Sequence, residues 1–313
     1  MVGPVFSVVL PVYNEQENLP ELYRRLTAVM QGLAQPYELV FVDDGSRDDS
    51  VKMIKDLRAG DEAVKLVALS RNFGHQPAVS AGLALAAGQA VIVMDSDLQD
   101  SPDVIPMFVQ KWREGYQVVY AIRQTRHEGM LKNFAYRLFY RILKHLSETE
   151  IPVDSGDFSL MDRRVVDLIN RLPEKTRYIR GLRAWVGFKQ TGVLVDRPSR
   201  HAGAPKYTLY RLILLALSGV ISFSVIPLRF ATGLGVLVSF LSFASIIVIV
   251  AIRLFTTLSI PGFAATASIL LFLGGVQLLT VGILGEYVGR IFDEVKGRPL
   301  FIVSEALGLA NDR

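Results

Sequence analysis

Along the first 125 residues, short apolar runs rich in β-branched side chains alternate with longer stretches of helical periodicity. The apolar runs are nearly continuous, which is typical of strands covered by helices on both faces. This order favours an α/β fold, a doubly wound and mostly parallel sheet. The predicted strands are Val5–Leu10, Glu38–Val42, Val64–Leu69, Val91–Met94 and Gln117–Ala121, followed by Phe158–Met161 and Thr191–Val195. The predicted helices are Glu17–Leu33, Asp49–Leu57, Gln76–Ala87, Pro102–Glu114 and a basic amphipathic helix at Met130–His145.

The C-terminal third has a different pattern. Phe230–Ile252 is an uncharged run of 23 residues, about 35 Å of helix, which is enough to cross a hydrocarbon core of about 30 Å. Leu254–Gly285 is a second uncharged run, and Pro261-Gly262 divides it into a turn and a second span. Together the two runs predict a two-helix transmembrane hairpin. The preceding stretch, Lys206–Pro227, is apolar but amphiphilic and predicts a segment that lies in the membrane interface.

Composition supports this division. Leu212–Gly285 carries two charged residues in 74 positions, whereas the other 239 positions carry 62, close to the share of about 25% found in ordinary globular domains. A mean hydropathy of +0.33 excludes a wholly soluble chain. The predicted organisation is a water-soluble domain over 1–200, an amphipathic interfacial segment over 201–229, two transmembrane helices over 230–285 and a C-terminal tail over 286–313.

The charge pattern predicts orientation and partners. Basic residues flank the outer ends of the hairpin, whereas its connecting loop carries only Arg253, so the soluble domain and both termini should face the cytoplasm of a multi-pass inner (plasma) membrane protein. The net charge of +4 comes from basic residues clustered near the membrane segments. That clustering indicates an anionic membrane surface or a phosphate ligand and not nucleic acid. The absence of cysteine excludes thiolate catalysis and disulfide frameworks.

Polar residues follow each of the first four predicted strands at the point where the strand ends. They are Pro11–Glu15, Asp43–Ser46, Ser70–Asn72 and Asp95–Gln99. Because ligands of open α/β sheets bind beyond the carboxyl ends of the strands, these four loops should converge on one crevice.

Two of these loops point to specific chemistry. Asp95 and Asp97, two positions apart at a strand end, can aim oxygens at one hard divalent cation, with Gln99 nearby and with water and a diphosphate completing the coordination. The alternative is a solvated acidic turn that caps the helix starting near Pro102. Asp44 is equally ambiguous, because it can accept hydrogen bonds from a nucleobase imide or belong to a plain turn.

The motifs resemble a known family. PVYNE (Pro11–Glu15), VDDGS (Val42–Ser46) and MDSDLQ (Met94–Gln99) look like the motif set of the family 2 glycosyltransferases with the GT-A fold. More narrowly, they resemble the polyprenyl-phosphate glycosyltransferases, the group of dolichol-phosphate mannose synthase and bactoprenol glucosyltransferase. Three further stretches resemble the bacterial membrane branch of that group: SRNFG (Ser70–Gly74), SGDFSLM (Ser155–Met161) and GEYVGR (Gly285–Arg290) with Arg298-Pro299.

The resemblance implies a role for each matching residue. The implied nucleotide-binding set is Pro11, Tyr13, Glu15, Asp44 and Asp95. The implied ligands of Mg²⁺ or Mn²⁺ and the diphosphate are Asp95, Asp97 and Gln99. The residues similar to family positions near the acceptor phosphate are Arg123, Lys132, Arg200 and Lys206. Cations there would offset the charges of a phosphate and a diphosphate, although membrane-surface electrostatics is an alternative role. Pro205 departs from the family, which has a serine at that position.

Asp157 resembles a family carboxylate essential near the acceptor, and with Asp97 it forms the predicted catalytic pair. It could act as a general base or orient the acceptor and neighbouring cations. A phosphate monoester has a second pKa of about 6 and needs little deprotonation at neutral pH, which favours orientation. The four histidines, His75, His127, His145 and His201, lack metal-ligand spacing and are interpreted as surface or helix residues.

The implied activity is an inverting, metal-dependent transfer of a sugar, glucose from UDP-glucose, to a polyprenyl phosphate, undecaprenyl phosphate. A processive polysaccharide synthase is the rival enzyme, but Arg183-Ala184-Trp185 lacks the Gln-x-x-Arg-Trp pattern that such enzymes share, and two spans cannot enclose a channel. A non-catalytic membrane scaffold is disfavoured because Asp95 and Asp97 are both present. The resemblance also implies a homotetramer, and the cytoplasmic orientation suggests a flippase-like partner.

Reporter fusions test the predicted topology. Fusions before Met1 and after Arg313 should both report cytoplasm, and a reporter inserted at Pro261 should report the far side, because the basic residues lie outside the hairpin. A periplasmic signal from the C-terminal fusion would mean that Lys206–Pro227 spans the membrane.

Overall fold

A computed structural model of the chain describes residues 3–123, 155–175, 177–195, 226–255 and 262–309. The chain divides into two compact units. The first contains a β-sheet with its helices and includes residues 298–313, and the second contains two long helices.

The first unit alternates strands and helices over most of its length. Its strands are β1 (Phe6–Val12), β2 (Tyr37–Asp43), β3 (Val64–Leu69), β4 (Ala90–Val93), β5 (Val118–Arg123), β6 (Ser155–Asp162), β7 (Gln190–Val195) and β8 (Val303–Leu307). Its helices are α1 (Leu19–Gly32), α2 (Ser50–Gly60), α3 (His75–Leu85), α4 (Ile105–Arg113), α5 (Arg163–Arg171) and α6 (Ile179–Trp185), with a 3₁₀ turn at Pro102–Val104 before α4. The first seven strands overlap the seven predicted from apolar runs.

The eight strands form one sheet in the order β7-β5-β6-β4-β1-β2-β3-β8. Strands β4, β1, β2 and β3 are parallel neighbours, which confirms the predicted α/β class. However, β6 runs antiparallel to β4 and β5, and β8 runs antiparallel to β3. The sheet is therefore mixed. The direction of these strands could not be predicted, because a continuous apolar run indicates a buried strand but does not encode its direction.

Helices cover both faces of the sheet. On one face, α1, α2 and α4 bury apolar side chains such as Leu22, Leu26 and Phe108. On the opposite face, α3, α5 and α6 contribute side chains such as Val79 and Val166. Burial on both faces explains why the strand sequences are continuously apolar.

The strand β8 was not predicted, because the sequence analysis left residues 286–313 as a tail. It pairs with the outer edge of β3. The backbone N–H of Ser70 donates to the carbonyl of Ile302 (2.9 Å), and the Ser304 hydroxyl donates to the carbonyl of Ala68 (3.0 Å). The chain end thus contacts the start of the loop that follows β3. The predicted division into residues 1–200, 201–229, 230–285 and 286–313 stays a prediction.

The second unit contains α7 (Ile226–Phe255) and α8 (Phe263–Val295), which contact each other. Within the described residues, one segment, Phe272–Val295, is long and apolar enough to cross a membrane, and Ala231–Ser245 is apolar but shorter. The helical state of both uncharged runs agrees with the sequence analysis, whereas the transmembrane hairpin stays a prediction. The predicted helix Met130–His145 and residues 206–225 lie outside the described part of the chain.

Candidate active site

The four polar loops predicted to converge do meet at one edge of the sheet. Parallel pairing of β4, β1, β2 and β3 puts their carboxyl ends side by side. Direct hydrogen bonds link the loops: the Ser96 hydroxyl donates to the carbonyl of Pro11 (2.8 Å), and the N–H of Asp44 donates to the carbonyl of Val12 (2.8 Å). The predicted convergence of the four loops is therefore seen as direct contact between neighbouring loops.

Asp44 joins the loop after β2 to the loop after β3. Its two carboxylate oxygens accept the backbone N–H groups of Phe73 (2.7 Å) and Gly74 (2.9 Å). Burial raises the pKa of Asp44, and the two backbone donors offset only part of that rise. Asp44 thus has a structural role that the sequence analysis did not identify, and its contact with a nucleotide base stays a prediction.

Gly45 lets these two loops approach each other closely. Its φ is +71°, and a Cβ at this position would lie 2.6 Å from the backbone nitrogen of Asn72. The preceding Asp43 accepts the N–H groups of Gly45 and Ser46, which forms a tight turn. Only glycine fits this conformation and this spacing without strain.

The loop after β1 is fixed by side chains of the loop after β2. The N–H of Asn14 donates to the Ser46 hydroxyl (3.0 Å), and the N–H of Glu15 donates to the Ser50 hydroxyl (3.0 Å). In return, the Asn14 amide oxygen accepts the N–H of Arg47 (2.8 Å). Tyr13 is 44% exposed at this loop. The polar residues therefore order the backbone and leave the Tyr13 ring accessible to a ligand.

Negative charge concentrates where β1 and β4 end. Burial raises the pKa of the Glu15 carboxyl, a hydrogen bond from Asn18 lowers it, and the charges of Asp97 and Asp95 raise it further, so the net shift is upward. Asp97 accepts the N–H of Gln99 (3.1 Å). Ser101 occupies the N-cap position of the 3₁₀ turn at Pro102–Val104, so neither aspartate holds that position.

The donor set at this position suits a hard divalent cation. Asp95 and Asp97 supply carboxylate oxygens in a region of negative potential, which Mg²⁺ and Mn²⁺ prefer. Within the described residues, no group of three or more His, Asp or Glu side chains is arranged to hold a metal by itself. Water and a substrate diphosphate would therefore have to complete the coordination, as the sequence analysis expects.

Asp157, on β6, is held by the side chains of Arg180 and His75. Arg180, at the start of α6, donates from Nε to Oδ1 (2.7 Å) and from Nη2 to Oδ2 (2.8 Å). His75, the first residue of α3, places Nε2 3.4 Å from Asp157 Oδ2 and 3.6 Å from Asp95 Oδ1. His75 thus connects the predicted acceptor carboxylate to the predicted metal carboxylate.

Electrostatics keeps Asp157 ionised. Burial raises the pKa of Asp157, but hydrogen bonds from Arg180 and His75 outweigh it and hold the pKa well below its usual range. Burial lowers the pKa of His75, but its contact with Asp157 and the charge of Asp95 outweigh that effect, so the net shift is upward. Asp157 is therefore a poor proton acceptor in this state.

A further buried cation lies behind Asp157. Arg183 is 2% exposed, its guanidinium lies 5.1 Å from the centre of the Tyr120 ring, and its terminal nitrogens lie 3.5 Å from the carbonyl oxygen of Gly156. Burial lowers the pKa of Arg183 to about 10, which leaves it charged at neutral pH. It adds positive potential beside the carboxylate.

The structure brings together most of the predicted site residues. Those at this edge of the sheet are Pro11, Tyr13, Glu15, Asp44, Asp95, Asp97 and Gln99, with Asp157 joined through His75. Arg123 is the last residue of β5, but its side chain is not described, and Lys132, Arg200 and Lys206 lie outside the described residues.

Sequence reasoning missed His75, Arg180 and Arg183. His75 is an exposed helix residue, as expected, but its position between two carboxylates was not predicted. Its position directly after the SRNFG loop was the available signal. The spacing of Arg180 and Arg183, three residues apart, puts both on one face of a helix, which was a second signal.

Comparison with known proteins places this chain in a class. The family described as glycosyl transferase family 2 matches residues 7–169, and the chain belongs to this family. The uncharacterized glycosyltransferase YkcC of Bacillus subtilis (strain 168) is 44% identical over 309 residues, which cover 98% of this chain and 96% of the relative.

The particular resemblance is to bactoprenol glucosyl transferases. The SfII prophage-derived bactoprenol glucosyl transferase of Shigella flexneri is 39% identical over 301 residues, covering 96% of this chain and 97% of the relative. This confirms the resemblance predicted from the motifs. Glucosyl-3-phosphoglycerate synthase from Mycobacterium tuberculosis, solved with Mn²⁺, UDP-glucose and phosphoglyceric acid, has a TM-score of 0.46 at 21% identity, covering 70% of this chain and 78% of that one.

The close approach at Gly45 generates a prediction. Gly45→Ala should lower the free energy of unfolding by about 1–3 kcal/mol, because the new Cβ meets backbone atoms and the φ is left-handed. Urea unfolding measures the change. Gly60→Ala, at the end of α2 with open space around its Cβ, is the matched control and should not destabilise. Equal effects in the two variants would contradict the assigned role of Gly45.

Proposed function

We propose that this protein transfers glucose from UDP-glucose to undecaprenyl phosphate, with inversion and with a divalent cation, to form a lipid-linked sugar. The observation that carries the proposal is the proximity of the Asp95 carboxylate to Asp157 through His75, in a chain of glycosyl transferase family 2. Relatives named bactoprenol glucosyl transferase over nearly the whole chain support the lipid acceptor and the sugar.

The donor side of the site consists of the loops after β1, β2 and β4. Tyr13, Glu15 and Asp44 would bind the base and ribose, and Asp95 and Asp97 would hold Mg²⁺ or Mn²⁺ beside the diphosphate. When bound, the cation would supply Lewis-acid stabilisation of the leaving group. The hard oxygen donors and the raised pKa of Glu15 near Asp97 support this assignment.

The acceptor side lies at β6. An oxygen of the lipid phosphate bonds to the anomeric carbon as the bond from that carbon to the diphosphate breaks on the opposite face. This displacement inverts the configuration and needs no covalent enzyme intermediate. The phosphate is mostly dianionic at neutral pH, since its second pKa is about 6. Asp157 therefore orients the acceptor and the neighbouring cations and does not remove a proton.

The second unit supports a membrane location. Large apolar side chains of α7 and α8 are exposed, including Phe240 (68%), Phe272 (61%) and Leu278 (75%). Such surfaces are unfavourable in water and suit lipid. We therefore place the protein in the inner membrane as a multi-pass protein with its catalytic unit in the cytoplasm. The homotetramer, the flippase-like partner and the acceptor roles of Arg123, Lys132, Arg200 and Lys206 stay predictions.

A substrate panel tests the proposed function. Purified full-length protein is incubated with UDP- and GDP-sugars, undecaprenyl phosphate and Mg²⁺ or Mn²⁺, and sugar-lipid product is measured. UDP-glucose should give a single-sugar lipid. A product that grows by successive additions would favour a processive synthase, and absence of product with every donor would refute the proposal.

The proposed cation site predicts the effect of one substitution. Asp97→Asn should fold normally and lower turnover by at least about 10²-fold, equivalent to about 2.7 kcal/mol of barrier. Treatment with EDTA should also abolish activity of the unmodified protein. Asp103→Asn is the matched control, because the Asp103 side chain is 68% exposed and pairs with Arg25. Near-normal turnover of Asp97→Asn would remove the metal assignment.

The lowered pKa of Asp157 predicts a pH profile. A carboxyl whose folded pKa is depressed stays ionised as pH falls towards that value, so Asp157 remains a carboxylate from about pH 5.5 to 8.5. Asp157→Asn should therefore lower turnover by a similar factor across this range, measured as initial rates at saturating substrates. A general base would matter most at low pH, where the acceptor is a monoanion. If the ratio of the unmodified rate to the Asp157→Asn rate approaches one as the pH rises, the role of general base would be restored.

A further inference from the structure

Arg180 makes the most directional contact in the site. Its guanidinium bonds both oxygens of Asp157, at 2.7 Å and 2.8 Å. Two parallel bonds of this kind fix the plane as well as the position of a carboxylate. The Asp157 side chain is only 10% exposed, so little solvent competes with these bonds.

His75 limits the remaining freedom of the same carboxylate. Its Nε2 lies 3.4 Å from the Asp157 oxygen that also accepts from Arg180 Nη2. The same nitrogen lies 3.6 Å from Asp95. A continuous series of contacts thus runs from Arg180 through Asp157 and His75 to Asp95, and it links α6, β6, α3 and the loop after β4.

Two of the three nitrogens of the Arg180 guanidinium, Nε and Nη2, donate to Asp157. These bonds give Arg180 a means of acting on a bound phosphate through the orientation of the carboxylate.

We infer that Arg180 is a positioning residue that holds Asp157 at a fixed orientation relative to the Asp95 side of the site. The inference rests on the proposed function. It extends that function by assigning a role to α6, which carries none of the motif residues.

A double-mutant cycle on Arg180 and Asp157 tests the inference in the full-length protein. Arg180→Met should lower kcat by about 10²-fold with KM for UDP-glucose nearly unchanged, and Arg180→Lys should retain part of the activity as a point charge without the bidentate geometry. If Arg180 acts only through Asp157, the double variant Arg180→Met/Asp157→Asn should turn over within about threefold of Asp157→Asn alone.

The controls separate a positioning role from a structural one. Arg177 is part-buried and donates to the backbone carbonyl of Leu172 (2.8 Å), so Arg177→Met should change thermal stability with kcat near the unmodified value. Arg180→Met leaves the buried Asp157 carboxylate without its bidentate partner, a loss that can prevent folding. The double variant has no carboxylate at position 157, and Arg180→Lys retains a positive charge. Both variants therefore test the inference even if Arg180→Met does not fold.

The measured kcat values decide whether Arg180 acts through Asp157. Losses that multiply in the double variant would show that Arg180 acts on the substrate independently and would overturn the inference. Unchanged kcat in folded Arg180→Met, or an equal loss in Arg177→Met, would overturn it as well. If the unmodified protein is inactive with every donor, the proposed function and the inference are refuted together. If the unmodified protein is active, a failed test of the Arg180 variants refutes only the role assigned to Arg180.

Discussion

Parallel pairing of four strands is the constraint on which the site depends. Because β4, β1, β2 and β3 run in one direction, their carboxyl ends and the loops that follow lie along one edge. Loop backbone has no ladder partners there, so its N–H groups must find other acceptors. Asp44, Ser46 and Ser50 provide them across loop boundaries. The polar residues of these loops therefore hold the loops together as well as supply the candidate site residues.

Charge balance divides the site into two halves. On the donor side, burial raises the pKa of Glu15, and the nearby charges of Asp97 and Asp95 raise it further. A cluster of this kind favours a bound cation. On the other side, Asp157 is compensated within the protein by Arg180 and His75. The carboxylates of the donor side are suited to bind a metal, whereas Asp157 is suited to hold a fixed orientation.

The end of the chain contributes to the same scaffold. β8 covers the exposed edge of β3, which would otherwise present unpaired backbone groups. Ile302, just before β8, accepts the N–H of Ser70, at the start of the loop whose later residues bind Asp44. A segment that follows the long apolar helix α8 in sequence thus supports a loop of the catalytic unit.

The sequence by itself determined the α/β class, the seven strands from β1 to β7, the four polar loops at the strand ends and the family. These features follow from local patterns: continuous apolar runs mark buried strands, and short motifs carry the chemistry of the loops. Sequence could not assign the direction of β6 or the pairing of β8, because both depend on partners far along the chain. It also missed the cluster of His75, Asp157 and Arg180, whose members belong to three different elements. Only the tertiary structure brought these groups within bonding distance, and side-chain charge acts through space and not along the sequence.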